Sequence, residues 1–177
     1  MRKPPTYING GYFYMNTKSI NIKNHSQSLK DIGTFSNKNY GSLNVKIENL
    51  HLKKINELIR KNVFKQNDAY ISAETLWELM QPIGKKAHHH FHGLTSENIL
   101  ATLNSLSEPY CVLQTGINRF SILSTFEENR KRLITIIEID ATLAGFPFAK
   151  INKIITIYPK DKINNYIRGK TILYIKP

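Results

Sequence analysis

The spacing of apolar residues divides the chain into a helical part followed by a strand-rich part. Between 43 and 63 a short alternating stretch, which predicts a strand at 43–47, precedes apolar positions at helical spacing, with lysines and arginines on the opposite side. Ser72 and Thr95 each precede a further apolar stretch of helical spacing, and hydroxyl residues are favoured at helix starts. The sequence therefore predicts three helices between 52 and 108.

Beyond Pro109 the apolar spacing changes to that of strands. A Gly-Ile-Asn turn separates the first two predicted strands and favours a hairpin, and one short helix precedes the last strand. The predicted strands are 110–115, 119–124, 133–139, 153–158 and 171–176, the predicted helix is 161–167, and 141–150 is predicted to be a loop. Helices first and strands afterwards predict a segregated α+β fold, with N-terminal helices packed on a C-terminal four- to five-stranded antiparallel sheet.

The first 42 residues differ in composition from the rest. They are rich in Asn, Ser, Lys, Gly and Tyr and show little periodicity, so we expect a weakly structured extension at 1–42 and a folded domain at 43–177. The single cysteine, Cys111, lies in an apolar run, which favours a reducing compartment. No signal peptide or membrane-length apolar run is seen, so we expect a cytoplasmic protein without a membrane partner.

Charge is unevenly distributed along the chain. The sequence has 25 Lys and Arg against 13 Asp and Glu, a net charge of +12. Residues 67–149 are slightly acidic, whereas 150–177 contain seven cations and one acid, Asp161. A polyanionic partner such as RNA is favoured, because cations that neutralise phosphates release condensed counterions. Coding bias toward Lys, Ile and Asn is the competing explanation of the total charge, but it explains the segregation less well.

The segment 88–92 reads His-His-His-Phe-His and allows three interpretations. His88 and His92 could bind a metal if the segment were helical, but neither a zinc-finger spacing nor a His-Glu-x-x-His pattern is present. One or two imidazoles could serve as acid or base, because imidazole titrates near neutral pH. They could also be ordinary surface residues. We predict no metal site and no cofactor.

The segment 153–161 carries the second candidate group. In a strand, Ile155 and Ile157 are predicted to share one face, leaving Thr156 and Tyr158 on the other face with Ile154. A hydroxyl, an aromatic ring and nearby cations on a sheet can bind phosphate and stack a base, although a half-exposed strand can also carry such residues. The predicted phosphate-binding cations are Arg119, Lys160, Arg168 and Lys170.

The order of short motifs resembles a known group of nucleases. His90-Phe91-His92-Gly93-Leu94-Thr95, the helix after it, the segment 106–110 and Asn152–Asp161 look like the phage-associated barnase–EndoU–colicin–RelE-like (BECR-fold) families, which include toxin domains at the C-termini of phage MuF-type proteins. The resemblance covers 45–177. It implies N-terminal helices on a four-stranded antiparallel sheet.

The resemblance also implies a function. It implies a metal-independent endoribonuclease toxin that cleaves RNA by attack of the 2′-OH, with His90, His92, Thr156 and Tyr158 as catalytic candidates. Relatives have serine where this chain has Thr156, which adds a methyl group beside the hydroxyl. A toxin of this kind needs a neutralising antitoxin, either protein or RNA. The alternatives are a non-catalytic RNA-binding protein or a phage structural or regulatory protein, and a basic DNA-binding protein. The sequence shows no convincing helix-turn-helix, which counts against DNA binding.

Overall fold

The computed structural model describes residues 17–21, 44–83, 91–143 and 146–177, and in these ranges eight strands form one sheet. The strands are β1 (Thr17–Asn21), β2 (Asn44–Glu48), β3 (Ala69–Ser72), β4 (Cys111–Gln114), β5 (Arg119–Glu128), β6 (Lys131–Leu143), β7 (Phe146–Lys160) and β8 (Thr171–Ile175). The helices are α1 (Lys53–Ile59), α2 (Ala73–Met80), α3 (Ser96–Asn104) with a 3-10 turn at Ser105–Ser107, and α4 (Ile163–Ile167).

The sheet is mixed, which contradicts the predicted fold. Its order is β1-β2-β3-β7-β6-β5-β4-β8, and the pairs β1–β2 and β3–β7 are parallel. The prediction of N-terminal helices on a C-terminal four- to five-stranded antiparallel sheet was therefore wrong. Three strands from the first half of the chain extend the C-terminal strands along the edge of β7, so helices and strands are not segregated in sequence.

One face of the sheet is covered by α1, α2 and α3, and we call it the three-helix face. Helix residues such as Ile55, Leu76 and Ile99 are fully buried there. They pack on sheet residues of β2 to β7, and the rings of Phe64 and Phe120 meet with their centroids 5.6 Å apart. Burial of apolar surface on this scale is the main stabilising contribution in a domain of this size.

The opposite face is covered in part by the short helix α4, and we call it the α4 face. Cys111, Leu113, Leu123 and Ile134 form its buried core together with Ile167 of α4. Several polar-tipped side chains surround this core, among them Tyr110, Tyr158 and Tyr166. The α4 face therefore combines a smaller apolar core with hydroxyl groups.

Two local predictions about the C-terminal strands also require correction. The predicted loop at 141–150 is instead the end of a long hairpin, because β6 extends to Leu143, β7 begins at Phe146, and these two residues pair. An irregularity in β7 lies opposite Ile136/Ile137, so Ile154, not Ile155, joins Ile157 in the core of the three-helix face. A bulge of this kind inserts one residue and breaks the alternation of faces.

The predicted helix starts are confirmed. Ser72 Oγ accepts a hydrogen bond from the Thr75 N–H at 3.0 Å, and Thr95 Oγ1 accepts one from the Asn98 N–H at 3.2 Å. Each cap satisfies a backbone donor that the first turn of a helix leaves without a partner. The division into an extension at 1–42 and a domain at 43–177 stays a prediction, although Thr17–Asn21 pairs with β2 inside the first range.

Candidate functional site

Three hydroxyl groups form a continuous chain on the α4 face. The Tyr158 hydroxyl donates to the Tyr166 hydroxyl at 3.0 Å, and the Tyr166 hydroxyl is 3.0 Å from the Ser121 hydroxyl. Tyr158 lies on β7, Tyr166 on α4 and Ser121 on the central strand β5, where it is fully buried. These hydrogen bonds hold α4 on the sheet in addition to its apolar contacts. They also give the buried hydroxyls the partners that burial requires.

Two of the predicted catalytic side chains adjoin this hydroxyl chain. The ring of His92 lies against the ring of Tyr158, with centroids 5.8 Å apart and planes inclined by 39°. Thr156 lies two residues before Tyr158 on β7 and pairs with Ile136, a residue of the α4 face. The Thr156 Oγ1 is buried and has no hydrogen-bond partner among the residues that the structure describes. Three of the four predicted catalytic residues are therefore grouped.

Burial further favours the protonated form of the Tyr158 phenol. The pKa of Tyr158 is raised well above its usual value, first because burial disfavours the phenolate and second because of the hydrogen bond to Tyr166. Tyr158 is therefore a neutral phenol throughout the physiological range. In that state it can donate a proton but cannot serve as a base.

A basic pocket opens beside Tyr166. It has a volume of about 310 Å³. Three of its lining residues are lysines from the end of β7, the start of α4 and the segment before β8. The lining residues are Lys160, Asp161, Lys162, Asn165, Tyr166 and Lys170. Three ammonium groups, one carboxylate, an amide and a phenol ring are suited to a phosphate group with an attached base.

Two of the pocket lysines have defined neighbours. Lys170 Nζ lies 3.7 Å from the centroid of the Tyr166 ring and donates to the Tyr166 carbonyl. Lys160 pairs across the strands with Arg132, and the Arg132 guanidinium binds Glu127 and lies 4.0 Å from the centroid of the Tyr110 ring. The pocket therefore has one lysine fixed on an aromatic ring and further cations at its border.

The other predicted residues are not part of this group. Arg119 forms an ion pair with Glu138 at 2.6 Å beside the β4–β5 turn, four residues along β6 from the Ile134–Tyr158 pair, which is about 13 Å. Arg168 is exposed after the end of α4, and the described lining of the pocket does not include it. His90 lies outside the described residues.

Tyr166 and Ser121 were not predicted from the sequence, although both belong to the hydroxyl chain with Tyr158. A signal for Tyr166 was present: Ile163, Tyr166 and Ile167 have the spacing of one helix face, so the tyrosine had to face the sheet. No comparable signal marks Ser121, because a serine in a strand is common and its partner is distant in sequence. Arg132 was not among the predicted phosphate-binding cations, yet it is the cross-strand neighbour of Lys160.

In the described part of the chain, no three His, Cys, Asp or Glu side chains gather as a metal-binding group. Within the same residues, no helix has the length and apolarity required to cross a bilayer. Comparisons with known protein families, with curated proteins and with solved structures found no match for this chain. The fold and site therefore define a protein with a mixed sheet and a basic, tyrosine-bearing pocket, and the resemblance to phage-associated nucleases stays a prediction.

Proposed function

We propose that this chain is an endoribonuclease that binds RNA at the lysine pocket and cleaves it without a metal ion. The observation that carries the proposal is the contact between the His92 and Tyr158 rings next to the pocket lined by Lys160, Lys162 and Lys170. An imidazole, a phenol and several cations are the groups that cleavage by a 2′-OH requires: a base, an acid and a site for phosphate. The charge of the segment 150–177 supports the same partner.

Each group has a definite role in the proposed reaction. His92 removes the proton from the 2′-OH, which attacks the adjacent phosphorus and displaces the 5′-oxygen. Tyr158 is the proton donor to the departing oxygen, because the phenol is protonated at physiological pH and the departing alkoxide is a stronger base that takes its proton. The pocket lysines stabilise the charge that develops on the phosphoryl oxygens. The products are a 2′,3′-cyclic phosphate and a 5′-hydroxyl.

The biological part of the proposal follows from the same activity. A nuclease that attacks RNA in general would damage the cell that makes it, so a toxin role with a neutralising antitoxin and a cytoplasmic location belongs to this proposal. Induction of the wild-type gene in a bacterium should arrest growth, whereas a His92→Phe variant should not. The phenylalanine keeps an aromatic ring against Tyr158 but cannot transfer a proton.

The direct test uses one RNA oligonucleotide and its all-2′-deoxy analogue in EDTA. The RNA should be cut to cyclic phosphate ends, and the deoxy analogue should bind but stay intact because it lacks the nucleophile. His92→Phe and Tyr158→Phe should each lower the cleavage rate by about 10²–10⁴-fold with little change in binding. Tyr174→Phe is the matched control, since Tyr174 packs on the three-helix face and also loses only a hydroxyl.

Thr156 provides a second matched pair. Thr156 and Thr135 both have a buried hydroxyl without a partner among the described residues, and Thr135 is fully buried at the centre of the sheet. Valine has the same shape, so neither Thr→Val change should lower stability. If the Thr156 hydroxyl binds a phosphate oxygen, Thr156→Val should slow cleavage and Thr135→Val should not. Equal rates in the two variants would remove Thr156 from the proposed site.

A non-catalytic RNA-binding protein is the second candidate, and one observation favours it. The Tyr158 hydroxyl already donates to Tyr166 inside the protein, so its function can be structural. RNA bound with wild-type affinity but left intact by the pure protein would support this candidate and contradict the nuclease. Cleavage that requires added magnesium would also contradict the proposed reaction.

A further inference from the structure

The sheet ends at β8, and the outer edge of this strand is open in the described part of the structure. β8 pairs with β4 on one side, and no described strand pairs with its other side. An edge strand presents a row of backbone N–H and C=O groups that can pair with another chain. Proteins use such edges to bind extended segments of partners, with backbone hydrogen bonds for affinity and alternate side chains for specificity.

Two exposed isoleucines accompany this open edge. Ile172 is 47% exposed and Ile175 is 46% exposed, although both belong to a strand of the sheet. They pair with Leu113 and Cys111, which are core residues of the α4 face, so both isoleucines lie on that face at the border of its apolar core. An added strand on the outer side of β8 would cover them and extend this core.

Charges at the two ends of β8 determine which strand can be added. Lys170 comes immediately before the strand and Lys176 immediately after it. In a symmetric antiparallel pairing of two copies that uses all of β8, Lys170 of one copy would lie opposite Lys176 of the other. Like charges directly opposite each other in a sheet are destabilising. The edge therefore disfavours a second copy of this chain and favours a strand with acidic ends.

We propose that β8 binds an extended segment of a partner protein, apolar in its middle and acidic at both ends, as an added antiparallel strand. The acidic ends face Lys176 and Lys170, and the apolar middle covers Ile172 and Ile175. This interaction does not require the RNA-binding activity proposed above. The proposed RNA site and the proposed strand site share only Lys170.

The test measures binding of a seven-residue peptide to the full protein chain. The peptide has alternating valine and threonine between two terminal glutamates. Its two controls are the same peptide with terminal lysines and the same peptide N-methylated on alternate residues, which cannot form the strand hydrogen bonds. We expect the acidic peptide to bind at least tenfold more tightly than either control. In an amide-resolved NMR titration, the changes should centre on 171–176.

Two variants locate the binding site. The double variant Lys170→Glu with Lys176→Glu should exchange the preference, so that the lysine-ended peptide binds more tightly than the acidic one. Ile172→Lys should weaken the acidic peptide at least tenfold. Ile117→Lys is its matched control, because Ile117 is 92% exposed at the β4–β5 turn and the same change there should have no effect.

Several outcomes would overturn the proposal. If the N-methylated peptide bound as tightly as the acidic peptide, the contact would rest on charge without strand pairing. If the NMR changes were confined to the lysine pocket, the peptide would bind there and not at β8. Slow exchange of the outward β8 amides in the free monomer would show that the chain itself covers the edge. Concentration-dependent dimers that Ile172→Lys abolishes would show that the occupant is a second copy, and an RNA footprint on 171–176 would assign the edge to RNA.

Discussion

The two faces of the sheet carry out different tasks with the same strands. On the three-helix face, α1, α2 and α3 bury a large, almost wholly apolar core. On the α4 face, a single five-residue helix covers a smaller core and brings Tyr166 against Tyr158 and Ser121. The difference shows how a fold can stabilise itself on one side and keep hydroxyls, an imidazole and cations together on the other.

The two faces also differ in how much of each is covered by helices. A helix as short as Ile163–Ile167 would not be stable in isolation, so α4 depends on its contacts with the sheet. Its first residue follows Lys162, which adopts a left-handed backbone conformation with φ of 48°. The sharp turn between β7 and α4 places Lys160 and Lys162 at one pocket, and the segment after α4 adds Lys170. The α4 face is thus the side with less helical cover and more polar groups.

The largest effect is expected from a cavity in the three-helix face. Phe64 is fully buried and its ring contacts that of Phe120. Phe64→Ala should lower the free energy of unfolding by about 3–5 kcal/mol, because it removes apolar contacts and leaves a void. Urea unfolding measures the change. A loss below about 1 kcal/mol would show that this face is not the main source of stability.

The next effect is a pH dependence that originates in the α4 face. Burial raises the pKa of the Cys111 thiol to about 11 from an ordinary value of 9.0. Between these pH values the unfolded chain releases the thiol proton while the folded chain retains it, so stability falls as pH rises, by at most about 1.4 kcal/mol per pH unit. The free energy of unfolding, measured with urea between pH 8 and 10.5, should fall less steeply with pH in Cys111→Ala than in the wild type. An unchanged slope would contradict the buried thiol.

A smaller effect is expected when the hydroxyl chain is interrupted. Tyr166→Phe keeps the ring under Lys170 and on the sheet but removes the hydrogen bonds to Tyr158 and Ser121. Stability should fall by about 1–2 kcal/mol, because two hydrogen bonds are lost and each contributes about 0.5–1.5 kcal/mol net. The same urea measurement applies, with Tyr174→Phe on the three-helix face as the control. A loss as large as that of Phe64→Ala would show that the two faces contribute equally.

Local structure was the part of the fold that the sequence predicted well. Ser72 and Thr95 begin helices because their side chains bond to backbone donors a few residues later, and this interaction is local. The terminal helix and β8 were also predicted, from the spacing of apolar residues close together in sequence. Thr156 and Tyr158 were correctly predicted to share a face of the strand, because the irregularity of β7 lies before Thr156 and the stretch from Thr156 to Tyr158 keeps the regular alternation.

Pairing between distant strands was the part that could not be predicted. β3 has only four residues, which is too short for a clear alternation in the sequence. Its single register pair with β7, Tyr70 with Lys153, joins residues that are far apart in the chain. The irregularity that moves Ile155 out of alternation depends on the partner strand β6. Arg119 was assigned to phosphate from its charge alone, and its pairing with Glu138 depends on the β5–β6 register.

The central claim is that RNA binds on the α4 face and not on the other basic surface, the exposed lysines of α1. The most direct measurement is the salt dependence of binding to single-stranded RNA for two matched double variants: Lys160→Gln with Lys170→Gln, and Lys53→Gln with Lys54→Gln. We predict that the first pair lowers the slope of log affinity against log salt by about 1.4 and that the second leaves it unchanged. An equal or larger loss for the α1 pair would contradict the account.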